Sequence, residues 1–118
     1  MPAAPSRLLV ACLCAQWCSS CRAYRATFER VAAAFPDIRF VWIDVEDEEV
    51  LVGRVDVDNF PTLLIGADAG LHFFGPVMPQ EEVLARLVRT CSESARQTVP
   101  AHADVVALLH RVRALQRE

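Results

Sequence analysis

The chain has 118 residues, of which 53% are hydrophobic, and its formal net charge is −3. This length favours a single domain with a buried core, and the composition excludes a disordered, collagen-like or coiled-coil chain. The longest apolar run is too short to span a bilayer, so we expect no association with a membrane. All the basic residues are arginines, and because they form no cluster or stripe we expect no nucleic-acid partner.

Patterns in the first half of the chain predict an arm, a strand, a helix and a second strand. Residues 1–6 contain two prolines and predict a loose arm, and the apolar run Leu8–Ala15 predicts a buried strand. The segment Cys18–Phe35 predicts a helix, because aromatic and aliphatic residues recur in it every three or four positions. Pro36 ends that helix, and Ile38–Val45 predicts a strand parallel to the first.

The second half begins with an acidic segment, residues 46–49, followed by a short predicted helix, Glu48–Val55. Two short strands separated by a glycine-bounded turn then predict an antiparallel hairpin. Two amphipathic helices follow, the first with a proline at its first position, and a polar link joins them. The predicted elements are the strands Thr62–Ile65 and Leu71–Phe74, the helix Pro79–Ser94, the link Glu93–Thr98 and the helix Ala101–Gln116.

The cysteines bear on the compartment in which the protein works. Their number is odd and their spacing irregular, which argues against the disulfide framework of a small secreted protein. The N-terminal residues resemble a short secretion signal, but the apolar stretch before Cys12 is shorter than the ~7–15 residues that such a signal needs. We therefore expect a cytoplasmic location, with export as the open alternative. The cysteines are Cys12, Cys14, Cys18, Cys21 and Cys91.

Cys18 and Cys21 form the motif with the clearest chemical meaning. A strand that ends in a tight turn and opens a helix places Cys18 at the helix N-terminus, where free backbone N–H groups and the helix dipole stabilise a thiolate. Cys21 lies three residues later on the same side of the helix. One nucleophilic and one resolving thiol suffice for thiol–disulfide exchange, so we predict that this pair is a redox-active dithiol.

The order of elements resembles the thioredoxin family. The resemblance covers residues 8–94 and is most specific at Trp17-Cys18-Ser19-Ser20-Cys21 and at Phe60-Pro61-Thr62. It implies an α/β fold: a thioredoxin-like mixed sheet of about four strands flanked by helices. We expect one domain, residues 1–118, with an extra C-terminal helical extension at about residues 97–118.

The resemblance also implies roles for residues around the dithiol. Pro61 is expected to be cis and to face the dithiol, and the backbone of Phe60 is expected to bind an extended substrate. Trp17 would shield the pair on one side. Thr62 and Gly75 match family positions near the same face, so these residues are candidates for substrate binding.

The sequence departs from the family pattern at several positions. Ser19 and Ser20 replace the usual Gly-Pro and are expected to modulate the pair. Cys12 occupies the position of a buried aspartate, and the lysine that pairs with that aspartate would fall near Trp42. Only 17 residues precede Cys18, so we expect the family's first strand and helix to be absent. We expect the extra last helix to cover the sheet face that the absent helix would cover; a dimer contact is the alternative.

The resemblance predicts a thiol–disulfide oxidoreductase that reduces or exchanges protein disulfides. Cys18 would attack the substrate and Cys21 would resolve the mixed disulfide, with no cofactor besides this dithiol. The expected partners are protein disulfides or dithiols and, from the family only, a thioredoxin reductase. The expected oligomeric state is a monomer or a weak homodimer.

Two other classes of function stay open. One is a non-catalytic binding or redox-sensing module, because the aspartate–lysine pair is absent. The other is a metal site with four thiolate ligands, Cys12, Cys14, Cys18 and Cys21. Cys12 and Cys14 would share one face of the first strand. Cys12 would otherwise be a core residue or a member of a disulfide relay, and Cys14 and Cys91 are expected to be core residues.

Overall fold

The computed structural model describes residues 8–93 and 98–115. The predicted arm, the middle of the polar link and the end of the last helix at Gln116 lie outside the described residues. The elements in chain order are β1 (Leu9–Cys14), α1 (Ser19–Ala34), β2 (Arg39–Asp44), α2 (Glu49–Val52), β3 (Thr62–Ala67), β4 (Gly70–Pro76), α3 (Glu81–Glu93) and α4 (Ala103–Ala114).

The strands form one mixed sheet in the order β2-β1-β3-β4. β1 pairs with β2 in parallel and with β3 antiparallel, and β4 returns antiparallel to β3 after a two-residue turn. β1 therefore lies inside the sheet and is buried along its whole length. The expected α/β fold with a mixed sheet is confirmed.

Two apolar layers cover the sheet, one on each face. On one face α1 and α3 pack against alternate residues of β1, which include Val10, Cys12 and Cys14. On the other face α4 packs with Leu9, Leu13 and the strands β3 and β4. The last helix thus covers a sheet face, as expected.

Glycine allows α4 to approach β3 closely. A Cβ atom at Gly66 would lie only 2.6 Å from a terminal methyl group of Leu109. Leu109 is almost fully buried, at 2% exposure. The bare backbone at Gly66 therefore sets how deeply α4 sits on the sheet.

Several boundaries differ from the predictions for local reasons. α3 begins at Glu81, two residues after Pro79, because the Gln80 carbonyl accepts the first helical hydrogen bond, from the Leu84 N–H at 3.2 Å. α2 is a single turn, because Gly53 ends it with φ at 65°. The predicted strand Ile38–Val45 is apolar on both faces in sequence, but β2 is mostly half-buried, because it is an edge strand. No helix in residues 8–93 and 98–115 is long and apolar enough to cross a membrane.

Candidate functional site

The candidate site lies at one edge of the sheet, where three loops meet. The last residues of the parallel strands, Cys14 and Asp44, are neighbours in register, and Thr62 of β3 lies opposite Leu13. The loop into α1, the loop after β2 and the segment before β3 therefore meet at the same edge. This arrangement brings Trp17 and Phe60 together, with their ring centroids 5.7 Å apart.

Cys18 is the N-cap residue of α1 and is half-buried. Its backbone is extended, and its carbonyl oxygen accepts the N–H groups of Cys21 and Arg22, both at 3.1 Å. The neighbouring Ser19 and Ser20 are exposed. Cys18 is a free thiol in this structure, placed at the predicted start of the helix.

Cys21 forms a disulfide with Cys14, with their Cα atoms 5.7 Å apart. Both residues are almost completely buried, at 1% exposure each. Cys14 was expected to be a core residue or, in the metal-site alternative, a ligand; it is buried, and it also bonds the predicted resolving cysteine. The working disulfide between Cys18 and Cys21 stays a prediction, since Cys21 has another partner here.

The signal that identifies Cys14 was present in the sequence. Cys14 is the last residue of β1, directly before the turn that opens α1, and it lies on the face that α1 covers. A cysteine at that position points toward the first turn of the helix. The prediction that Cys12 and Cys14 share one face of β1 was correct. What was missed is that Cys21 of α1 packs against the same face, within bonding distance of Cys14.

Cys12 lies next to Cys14 in the core, on the same face of β1. It is fully buried, and its Sγ lies 3.8 Å from the Sγ of Cys14. Its neighbours in register are Trp42 on β2 and Leu63 on β3. Burial raises the pKa of the Cys12 thiol, so at neutral pH it keeps its proton and does not act as the base that a carboxylate at this position would be.

Tyr24 of α1 lies in the same buried layer as Cys12. Burial raises the pKa of Tyr24, and the negative charge of a Cys12 thiolate raises it further. Its hydroxyl group is buried and has no hydrogen-bond partner among the described residues. Both groups therefore stay neutral at physiological pH.

The residues carried over from the family lie in the loops and strand ends at this edge of the sheet. Trp17 is 62% exposed, and its indole Nε1 donates a hydrogen bond to Glu46 Oε2 at 2.7 Å. The Phe60–Pro61 peptide bond is cis. The Thr62 hydroxyl donates to the Asn59 carbonyl at 2.6 Å, which holds the loop before β3.

Gly75 lies on β4 near the same edge of the sheet. It pairs in register with Leu63, and the next residue, Pro76, pairs with Thr62. The Val77 N–H donates to the Pro61 carbonyl at 3.1 Å, which ties the end of β4 to the segment before β3.

A charged cleft of about 280 Å³ opens beside Cys21. The Ala15 N–H donates to Cys21 Sγ at 3.4 Å, and the Arg25 guanidinium lies 5.2 Å from the centre of the Trp42 ring. The cleft is lined by Ala15, Gln16, Cys21, Arg22, Arg25, Trp42, Asp44 and Asp47. Cys21 therefore lies beside an opening that carries charges of both signs, although its own side chain is almost completely buried.

The four-thiolate metal site has little support from the sulfur positions. In the part of the chain that the structure describes, no three His, Cys, Asp or Glu side chains are arranged to hold a metal ion. Two of the four sulfurs proposed as ligands, those of Cys14 and Cys21, are bonded to each other.

Comparison with known proteins agrees with this geometry. The family model for thioredoxin matches residues 3–85. A thioredoxin from Ophiophagus hannah is 34% identical over 59 residues, which is 50% of this chain and 56% of the relative. An H-type thioredoxin from Picea mariana is 29% identical over 100 residues, which is 82% of this chain and 79% of the relative. The chain spans about half the length of the curated relatives with the strongest matches.

Solved structures share the fold. Mitochondrial thioredoxin 3 from Saccharomyces cerevisiae, in its oxidised form, matches with a TM-score of 0.63 and 25% identity, covering 72% of this chain and 79% of that one. The germline-specific thioredoxin Deadhead from Drosophila melanogaster matches with a TM-score of 0.64 and 23% identity, covering 74% and 83%. From the extent of the family-model match, the chain belongs to the thioredoxin family.

Proposed function

We propose that the protein is a thiol–disulfide oxidoreductase that acts on protein disulfides through Cys18 and Cys21. The observation that carries this proposal is the position of Cys18, a free and partly accessible thiol at the N-cap of α1. Membership of the thioredoxin family supports the same chemistry.

The reaction takes two exchange steps, starting from the protein with Cys18 and Cys21 reduced. The Cys18 thiolate attacks one sulfur of the substrate disulfide, forms a mixed disulfide and releases the first substrate thiolate. The Cys21 thiolate then attacks Cys18 Sγ and releases the second substrate thiolate. The substrate gains two electrons, and the dithiol of the protein becomes a disulfide.

We propose that the surface around Cys18 binds the substrate in an extended form. The exposed Trp17 ring and the edge of Phe60 would contact its side chains, and the segment Phe60–Pro61 would bind its backbone. Thr62 and Gly75 support this surface through the pairing of β3 and β4. Ser19 and Ser20 are exposed beside it and would tune the reactivity of Cys18.

The electron donor is a further part of the proposal. A solved structure with the same fold, at a TM-score of 0.65 and 18% identity, comes from a complex of ferredoxin:thioredoxin reductase with thioredoxin f2. For this chain we propose a reductase of the thioredoxin type, no cofactor besides the cysteines, and a reducing compartment such as the cytoplasm.

Reduction of insulin by dithiothreitol, followed as turbidity, tests the proposal. The wild-type protein should accelerate the reaction, and Cys18→Ser should abolish that acceleration. Cys91→Ser is the matched control, because Cys91 is a buried free cysteine on α3 and takes no part in the proposed steps. Acceleration that survives in Cys18→Ser would overturn the assignment of the nucleophile.

A second candidate function is a redox-sensing module without turnover. The Cys14–Cys21 disulfide favours it, because it leaves Cys18 without a resolving partner. Its signature would be a wild-type protein that forms a mixed disulfide with insulin and does not accelerate the reduction.

A further inference from the structure

Cys21 has two candidate disulfide partners, one near the surface and one in the core. Cys18 lies three residues earlier, at the accessible start of α1, and Cys14 lies at the end of β1 in the core. The structure shows Cys21 bonded to the inner partner while the outer one is free. One sulfur therefore has a choice between a surface disulfide and a buried one.

We propose that, after each oxidation, an intramolecular thiol–disulfide exchange replaces the Cys18–Cys21 disulfide by the Cys14–Cys21 disulfide. The disulfide of the oxidised protein then lies in the core, and Cys18 is again a free nucleophile at the surface. This inference rests on the proposed function, which supplies the Cys18–Cys21 disulfide as the starting point.

The step balances without any other reactant. The Cys14 thiolate attacks Cys21 Sγ, the Cys14–Cys21 bond forms, the Cys18–Cys21 bond breaks, and Cys18 leaves as a thiolate. Cys14 loses one proton and Cys18 recovers one, and the number of disulfides stays the same. No electron enters or leaves the protein in this step.

The surroundings of the sulfurs favour this direction. The leaving group, Cys18, is the N-cap residue of α1 and is only half-buried, so water can reach it when its bond to Cys21 breaks. At the attacking end, burial keeps Cys12 protonated, and its S–H donates to Cys14 Sγ at 3.8 Å. This contact directs the Cys12 S–H at the sulfur that must attack, which gives Cys12 a positioning role.

The exchange changes which cysteines solvent reagents can reach. Both sulfurs of the inner disulfide belong to residues that are 1% exposed, so reductants in solution reach it poorly. Cys18 stays half-buried and free. In this state the protein can form a mixed disulfide with a low-molecular-weight disulfide but cannot resolve it, because Cys21 is occupied.

Disulfide mapping tests the exchange directly. The reduced protein is oxidised with one equivalent of diamide, labelled with iodoacetamide under native conditions, and digested with trypsin and chymotrypsin. Cleavage after Trp17 and Arg22 separates Cys14 from the pair Cys18 and Cys21. The proposal predicts two peptides joined through Cys14 and Cys21, with the label on Cys18.

The variant Cys14→Ala should place the disulfide between Cys18 and Cys21 and slow the labelling of Cys18 by about tenfold or more, because a bonded sulfur offers no thiolate. Cys91→Ala, at a buried free cysteine elsewhere, should match the wild type. A wild-type protein whose only disulfide joins Cys18 to Cys21, and whose Cys18 is as protected as in Cys14→Ala, would overturn the inference. The wild-type map decides this even if a variant fails to fold.

The insulin assay separates this inference from the proposed function. If the protein accelerates insulin reduction and its mapped disulfide joins Cys18 to Cys21, the proposed exchange is wrong and the proposed function stands. A Cys14–Cys21 map without turnover overturns the proposed function and the exchange together, because the exchange starts from the Cys18–Cys21 disulfide that turnover supplies; the inner disulfide is then a static bond.

Discussion

Replacing Leu108 by alanine tests whether α4 is an integral layer of the core. Leu108 is fully buried and packs with Leu9 and Leu13 of β1. The substitution removes apolar groups equivalent to about three methylenes, or roughly 2.4 kcal/mol of transfer free energy at ~0.8 kcal/mol each. A cavity left in the core adds to this, so we expect the free energy of unfolding to fall by about 3 kcal/mol.

That loss corresponds to a large shift in the melting temperature. At ~2.1 cal/mol/K per residue, the entropy of unfolding of this chain is about 0.25 kcal/mol/K, so Tm should fall by about 12 °C. Circular dichroism at 222 nm during heating and during urea titration measures both quantities.

The matched control is the same substitution at Leu115, the C-cap residue of α4, which is 47% exposed. Leu115→Ala should cost less than about 1 kcal/mol, because water already contacts this side chain. If both variants lose the same stability, or if Leu108→Ala loses less than about 0.5 kcal/mol, α4 does not close the sheet as described.

Three further outcomes follow from other contacts. Arg111→Met removes two hydrogen bonds, of 2.7 and 3.2 Å, to carbonyl oxygens of α2, and should lower the free energy of unfolding by about 2 kcal/mol in urea titrations. Burial raises the pKa of the Cys12 thiol in the folded protein, so above about pH 9 the unfolded chain loses the thiol proton while the folded protein keeps it. The free energy of unfolding should therefore fall there by up to ~1.4 kcal/mol per pH unit. In Cys12→Ala, studied under reducing conditions, this contribution to the pH dependence of stability should vanish. Glu46→Ala should free the Trp17 indole and increase acrylamide quenching of its fluorescence, with stability changed by less than about 1 kcal/mol, whereas Glu48→Ala should leave quenching unchanged.

The sequence was sufficient to predict that Cys18 stands at the start of α1 and which elements lie around it. The spacing of the apolar residues predicted both ends of α1 to within one residue. The end of the apolar run that precedes the motif predicted that Cys18 stands at the start of this helix. These features depend on local patterns, which a single sequence contains. The same is true of the shared face of Cys12 and Cys14, which follows from the alternation of side chains along a strand.

The features that were missed depend on contacts between distant segments or on competition within a turn. The half-exposure of β2 follows from its place at the edge of the sheet, and strand order is not encoded in the pattern of one strand. The position of Cys14 at the end of β1 could be read from the sequence, but its bond to Cys21 also depends on the distance between the end of β1 and the first turn of α1, which spacing alone does not give. At α3, the Gln80 carbonyl accepts the first helical bond although Pro79 suits a first position.

The place of α4 at the end of the order of elements has a consequence for how the chain is made. Synthesis on the ribosome runs from the N-terminus, so β1 to β4 emerge before residues 103–114. Until then the nascent sheet presents the apolar side of Leu9, Leu13 and Leu64 to water, a surface to which a chaperone can bind. Completion of the core therefore waits for the last helix, and the time that translation takes between Pro76 and Ala114 sets how long the growing chain is open to aggregation.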